Sequence, residues 1–291
     1  MAWTTSDTVM TYREKSRWFD VFAEMMDGWR RHLSGRNASL LAFFTFLTIA
    51  PLMLAAVTIL GYVLEGNDAL RQRIIDGAAS EIPLIGNDLE DVNAIRGSLL
   101  GLAVGLGGAL WSSTKAFVGL QSALDDTWEV DVDDRAGLPV QRSKALLGLA
   151  IIGASQVGSL VVATIVSAAG LPTIGNIALI AATVAINIAV IATMYRFLTA
   201  YTPTWSDVWL GAVIAGVIFT VLQNFGTQLV QTFADGPEAF AVINTVIGLL
   251  TWLSLIGITV IMCAELNAAR KRLGDGDRVP DDSEMRLSIR N

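Results

Sequence analysis

Cysteine and histidine are almost absent: Cys263 and His32 are single representatives in 291 residues. One cysteine excludes a disulfide framework within the chain and any cysteine-rich metal site. One histidine excludes sites built on two or more, as most catalytic zinc sites are. Charge is scarce too, at 16% of residues, against about 25% in a typical soluble domain. The net charge of −7 offers no general basic face, which argues against a nucleic-acid binder. No Gly-xxxx-Gly-Lys-Ser/Thr loop is present to mark an ATPase. No cleavable signal peptide is evident, because the first apolar run starts after residue 37 and far exceeds the roughly 7–15 residues of a signal core.

Apolar residues are abundant, at 53% of the chain. A bilayer core about 30 Å thick needs roughly 20 apolar residues of helix. Uncharged runs occupy Ala38–Leu64, Gly97–Thr114, Ala145–Tyr195, Val208–Ala234 and Ala239–Ala264. The third is too long for one span, and Gly170-Leu171-Pro172-Thr173 breaks it near its middle. Six spans follow, with both termini on one side. That side collects 17 of the 20 lysines and arginines, and the other holds Arg71, Arg73 and Arg96. The positive-inside rule then places both termini in the cytoplasm and the chain in the cytoplasmic (inner) membrane.

The expected fold is therefore an all-α polytopic membrane protein with six transmembrane helices. Residues 1–37 form a cytoplasmic or interfacial segment, 38–264 the transmembrane domain, and 265–291 a cytoplasmic tail, disordered after about 274. Trp18, Phe22, Met25, Trp29 and Leu33 share one helical stripe, with Arg17, Asp20, Glu24, Asp27, Arg30 and Arg31 off it. Two readings are open: an amphipathic helix at headgroup depth, or a helix capping the bundle. Residues 65–96 suggest short external helices around Ile82-Pro83-Leu84-Ile85-Gly86. The acidic loop "DDTWEVDVDD" lacks the Gly and terminal Glu of a calcium-binding EF-hand loop and reads as solvated.

Polar side chains inside apolar runs face a partner helix or a water-filled cavity. In span five, Asn224, Thr227, Gln228 and Gln231 lie on one face, with Gln223 beside Thr227 one turn on. Asn244 and Thr245 open span six at the same outer level, and Gln156 and Asn187 add isolated amides. The stripe either bonds between helices or lines an outward-facing polar cavity. Such a cavity suits an uncharged polar or zwitterionic head group better than a metal ion, since it offers no carboxylate. In span two, Gly97, Gly101, Gly105 and Gly108 form a stripe of small residues that lets another helix approach, continued by Ser112 and Lys115. That face is a candidate for homo-oligomer contact. Lys115 is then expected to meet an acid at the inner end, Glu265 first and Asp125 or Asp126 otherwise. Pro51 in span one predicts a kink.

Four segments carry a family resemblance: "LAFFTFLTIAPL" (41–52), "LWSSTKAFVGLQSALDDTWEV" (110–130), "MYRFLTAYTPTWSDVWLGAVIAG" (194–216) and "CAELNAARKR" (263–272). In that order they resemble the YihY/BrkB family of bacterial inner-membrane proteins, once mislabelled as ribonuclease BN. Phe44 stands where many members carry Tyr, and "AFAVINTVIG" replaces the Tyr-Gly usual before span six. The resemblance implies six helices with cytoplasmic termini, and a description as transporter or envelope-associated protein rather than a settled activity.

The expected function is a transporter or flippase-like protein for an envelope lipid or small polar solute. The alternative is a structural or regulatory membrane subunit that moves no ligand. An enzyme is not expected, because a Ser/His/Asp or Cys/His site would depend on His32 alone. No cofactor and no metal are implied. The expected partners are membrane lipids and a further copy of the chain, not nucleic acid.

Overall fold

The structure, a computed structural model, describes residues 7–63, 99–168, 172–234 and 241–275. Among the described residues every long element is an α-helix and none is a strand. In chain order these are α1 (Asp7–Lys15), α2 (Arg17–Arg31), α3 (Ser34–Val63), α4 (Leu99–Thr127), α5 (Leu138–Ala168), α6 (Pro172–Phe197), α7 (Trp205–Ala234) and α8 (Ala241–Asp275). A 3₁₀ turn at Val132–Asp134 follows α4.

Local chemistry sets several boundaries. Pro172 is the first residue of α6, where its missing N–H and fixed φ are tolerated. The long uncharged run at 145–195 is thus two helices, as its Gly-Pro break predicts. At the start of α7, Thr204 Oγ1 donates to Asp207 Oδ2 at 2.6 Å, and the same oxygen accepts the Thr204 N–H at 2.8 Å. This pairing is the side-chain-to-backbone half of a capping box, with Asp in place of Glu. Lys144 Nζ closes the other end of the link by donating to the carbonyls of Leu198 (3.3 Å) and Thr199 (2.7 Å) just past α6. A cation there complements the negative end of the helix dipole. Helix α8 runs unbroken past Ala264 to Asp275, so the expected boundary between span and tail at 265 falls inside a helix.

Three helical segments are long and apolar enough to cross a membrane: Ile177–Phe197, Trp205–Gly226 and Ile243–Asp275. A fourth arises if Arg17–Arg31 and Ser34–Pro51, bent by 64° at their break, count as one span. This corrects the expected six among the described residues. The shortfall has a local origin: α3, α4 and α5 carry their apolar runs into residues 55–63, 99–102 and 159–168, whose side chains lie outside the described ones. The expected external helices at 65–96 and the residues after 275 lie outside the described residues as well.

The chain divides into two units. The first comprises Met1–Leu41, Phe117–Asn224 and Ser254–Asn291. Its core joins Phe117, Leu120 and Leu124 of α4, Ile191 and Tyr195 of α6, Val208, Ala212 and Ala215 of α7, and Cys263 and Ala264 of α8. A satellite cluster packs Val21 and Met25 of α2 on Ala269 of α8. The second unit comprises Ala42–Ala116 and Phe225–Leu253. There the Pro51 ring lies where a Cβ on Gly108 would stand, 3.1 Å away, so Gly108 accommodates the proline of α3.

Candidate functional site

The densest chemistry in the first unit is a buried ionic cluster at the α2–α3 elbow. Helix α2 stops at Arg31, and Leu33 takes a left-handed φ of 52° to start α3 at once. That turn aims His32 and Ser34 inward. Ser34 Oγ donates to Glu265 Oε1 at 2.7 Å, and His32 Nδ1 lies 2.8 Å from the same oxygen. The Thr127 hydroxyl, which donates to Ala123 O at 2.8 Å, stands 3.4 Å from it. Glu265 is fully buried, and its second oxygen has no hydrogen-bond partner among the described residues. Gly28 leaves room for that oxygen: a Cβ there would lie 2.5 Å from Glu265 Oε2 and 3.2 Å from Arg272 Nη2.

A second ring of charge surrounds this core. Glu129, the other left-handed residue at φ 54°, follows the end of α4. Its Oε1 lies 3.1 Å from Arg31 Nη1, 3.4 Å from Arg272 Nη1 and 3.5 Å from His32 Nε2. Arg272 also donates to Thr127 O at 3.1 Å and stands 3.5 Å from Glu24 Oε1. Glu24 belongs in turn to Arg13, which reaches Asp20 at 2.6 Å, Glu24 at 3.1 Å and Asp27 at 3.5 Å. Burial works to lower the His32 pKa, but the carboxylates of Glu129 and Glu265 outweigh it and hold the imidazole above its ordinary value. Contact with His32 pulls Glu129 below the usual carboxylate value, with Arg272 and Arg31 adding to the effect. Chemically the cluster is an imidazole held between one buried carboxylate, Glu265, and one exposed carboxylate, Glu129.

Three further polar contacts fasten the same unit. Asp125 Oδ1 accepts from Thr199 Oγ1 and from the Ala200 N–H, both at 2.7 Å. Asn267 accepts the Gly211 N–H at 2.8 Å and donates to Val208 O at 3.0 Å. Tyr195 Oη donates to Val260 O at 2.6 Å. Each ties one helix or link to a neighbour through a buried group whose hydrogen bonds are met.

The residues singled out from sequence fall in several places. Asn187 of α6 donates to Thr220 Oγ1 and Gln223 Oε1 of α7, both at 2.9 Å, so Gln223 bonds between helices. Asn224 is exposed and donates to Thr220 O of its own helix at 2.7 Å. Gln228 is exposed one turn on, and Asn244 is half-buried. The side chains of Thr227 and Gln231, like Gly97 and the surroundings of Gly101, lie outside the described residues. Gly105 is buried and Gly108 meets Pro51, as a packing face requires. Lys115 does not meet an acid among the described residues. It is exposed, with its ammonium 5.9 Å from the centre of the Trp111 ring, while Glu265 takes His32 and Ser34 instead. The physical reason is rotation: at 3.6 residues per turn Lys115 stands about 80° from Gly105, and the buried line of α4 continues through Ser112, Ala116 and Leu120.

Sequence reasoning missed the cluster itself. The partners of Glu265 lie 138 to 233 positions away from it, which no local spacing reveals. The available signal was the set of segments carrying the family resemblance, for "CAELNAARKR" holds Glu265, Asn267 and Arg272, and "DDTWEV" holds Asp125, Thr127 and Glu129.

The chain is similar to the ribonuclease-like protein YfkH of Bacillus subtilis (strain 168), with 24% identity over 274 residues, covering 87% of this chain and 96% of that one. No solved structure matches it. The family described as virulence factor BrkB matches residues 25–287, which takes in α3 to α8 and the whole inner ring around Glu265. On that match the chain belongs to the BrkB family.

Proposed function

We propose that this BrkB-family membrane protein is a transporter or flippase-like protein for an envelope lipid or a small polar solute. The observation that carries this reading is the line of amides on α7. Gln223 is engaged by Asn187, but Asn224 beside it and Gln228 one turn further along this apolar helix are exposed. An exposed amide on a helix of membrane-spanning length is unfavourable in lipid and natural beside water or a polar ligand. The sequence period puts Thr227 and Gln231 on the same helical face, Asn244 opens the next span, and the ligand such a set suits is uncharged or zwitterionic. The proposed setting is a polar cavity open to the outside of the cytoplasmic membrane, with both termini inside. Membrane lipids are the proposed partners, together with a second copy of the chain at a face other than Gly105–Gly108, which Pro51 of the same chain already covers.

The test is lipid exchange in reconstituted vesicles. With NBD-labelled phosphatidylethanolamine and external dithionite, the chain should speed loss of inner-leaflet fluorescence over empty vesicles. Asn224→Leu with Gln228→Leu should remove most of that gain. If the double variant works as well as the parent, the cavity reading is lost.

A second reading has an observation of its own. The amide of Asn187 is satisfied by two neighbours within the protein, as in a helix bundle that moves nothing. A subunit without transport activity would keep this contact and would tolerate the double variant. The name of the Bacillus relative raises nuclease activity. We propose a non-enzymatic role, since His32 is engaged by Glu265 at Nδ1 and close to Glu129 at Nε2. RNA cleavage by purified chain that His32→Gln abolishes would overturn that.

A further inference from the structure

Helix α2 is turned against the usual rule. A surface helix buries its apolar stripe and shows its charges. Here Asp20 and Glu24 are buried, at 6% and 2% exposure, while Trp18 and Phe22 are 69% and 47% exposed. Val21 and Met25 go inward to Ala269, and Trp29 at the far end of the helix packs on Ala38, Ala123 and Ile261, so the outward apolar residues are Trp18 and Phe22. The inversion follows from the ion pairs. Arg13 takes Asp20, Glu24 and Asp27, and Arg31 and Arg272 also stand near Glu24, so the acids of α2 are drawn inward against cations. The basic residues Arg17 and Arg30 are exposed, and among the described residues neither pairs with an acid. The outward face of α2 is therefore aromatic and positive on a chain whose net charge is −7.

We infer that this face, built on Trp18, Phe22, Arg17 and Arg30, seats on anionic phospholipid headgroups. The inference rests on the membrane reading of the chain. Trp and Phe fit the headgroup boundary, and arginines fit anionic phosphates. Orientation agrees: α2 makes an angle of 64° with Ser34–Pro51, so it lies far from the direction of a membrane-crossing α3. The two sequence readings of this helix thus merge, since its acidic side caps the helix ends while its aromatic side meets lipid. Each arginine strengthens attachment to an anionic surface by about fivefold, an effect that salt screens.

The experiment uses full-length chain in a Cys263→Ala background, reconstituted in phosphatidylcholine vesicles with or without phosphatidylglycerol. Trp18→Cys, Phe22→Cys, Ile180→Cys and Asp133→Cys each carry an environment-sensitive NBD label. Ile180 is an exposed residue of the candidate span in α6, and Asp133 is an exposed residue of the 3₁₀ turn. Labels at 18 and 22 should be quenched by a headgroup-level spin-labelled lipid and shielded from aqueous iodide. Shielding should be stronger with phosphatidylglycerol. Arg17→Gln with Arg30→Gln should cut that lipid-dependent difference several-fold, as should high salt. If labels at 18 and 22 meet iodide as freely as the label at 133 while the label at 180 stays lipid-quenched, the inference is overturned and the membrane reading stands. If the label at 180 is also open to iodide, the membrane reading itself fails. Self-quenching between labels at position 18, lost on dilution with unlabelled chain, would assign the face to a second copy and overturn the lipid assignment.

Discussion

Glu265 is the position at which the cluster is most exposed to test. Its carboxylate is fully buried and receives Ser34 at 2.7 Å and His32 at 2.8 Å. Truncation by Glu265→Ala leaves a buried hydroxyl and a buried imidazole without their shared acceptor. Removing one partner of a buried charged pair costs about 3–5 kcal/mol. Two hydrogen bonds to a charged group, at about 1.5–3 kcal/mol each, lead to the same range. With roughly 2–4 °C per kcal/mol for a chain of this size class, the melting midpoint should fall on the order of 10 °C. Glu265→Gln keeps the volume and one acceptor oxygen but not the charge, and should lose about half as much. Lys115→Met is the control: an exposed lysine whose neighbour is an indole should change stability by less than about 0.5 kcal/mol. The assay is tryptophan fluorescence on heating the full chain in detergent, with size-exclusion recovery as an independent readout. If both Glu265 variants melt within 2 °C of the parent, the cluster is not a joint of the fold. If Lys115→Met falls as far as Glu265→Gln, the pairing of Lys115 with Glu265 expected from sequence regains its standing.

The remaining predictions concern the same unit. Because the folded protein holds the His32 pKa above its ordinary value of 6.5, protonation favours the fold. That contribution is complete below pH 6.5 and fades as the pH rises through the raised value. Melting midpoints from pH 6 to 8.5 should decline in the parent and flatten in His32→Gln; a flat parent would refute the assignment. Gly211→Ala should destabilise strongly, since the new methyl would meet the Cys263 carbonyl and stand 2.5 Å from Asn267 Nδ2, backbone and side chain that have little room to yield. Loss of folded material on size exclusion checks it, and a parent-like midpoint would mean that α7 and α8 can part there. Asn187→Leu should cost about 1–2 kcal/mol by removing contacts to Thr220 and Gln223, measured as a shifted midpoint, and no shift would mean the amides pair only weakly.

How far the sequence was legible depends on whether a feature is local. Uncharged runs and a Gly-Pro break are local, and the helices from 138 to 168 and from 172 to 197 fall where they predict. The stripe of α2 is local as a period, but its direction is not. Apolarity alone sends Trp18 and Phe22 inward or into lipid with equal ease, and cations distant in sequence or on another helix, Arg13 and Arg272, decide that Asp20 and Glu24 go inside. The glycine stripe of α4 was legible where it packs, at Gly105 and Gly108. It was misleading at Lys115, because four- and three-residue steps hold the stripe on one side of the helix while the buried line, in steps of four, moves round by about 40° per step and leaves Lys115 behind. Composition alone gives six spans, whereas the described helices supply three, or four if α2 and Ser34–Pro51 count as one.

The segments that carry the family resemblance have a physical role that differs from the proposed activity. Tyr195, Thr199, Asp125, Thr127, Glu265 and Asn267 all come from them, and every one bonds to a neighbouring helix or link. These contacts explain why such residue types recur in order along the chain: they fasten helix ends together in one unit. They do not touch the exposed amides of α7, Asn224 and Gln228. Membership of the family therefore supports the fold directly and transport only indirectly. A variant at Glu265 that loses activity together with stability would say nothing of a ligand, whereas Asn224→Leu with Gln228→Leu, placed away from every fastening contact except the Asn224 bond to its own helix, separates the two. Activity lost at an unchanged melting midpoint is the outcome that only a ligand-lining role produces.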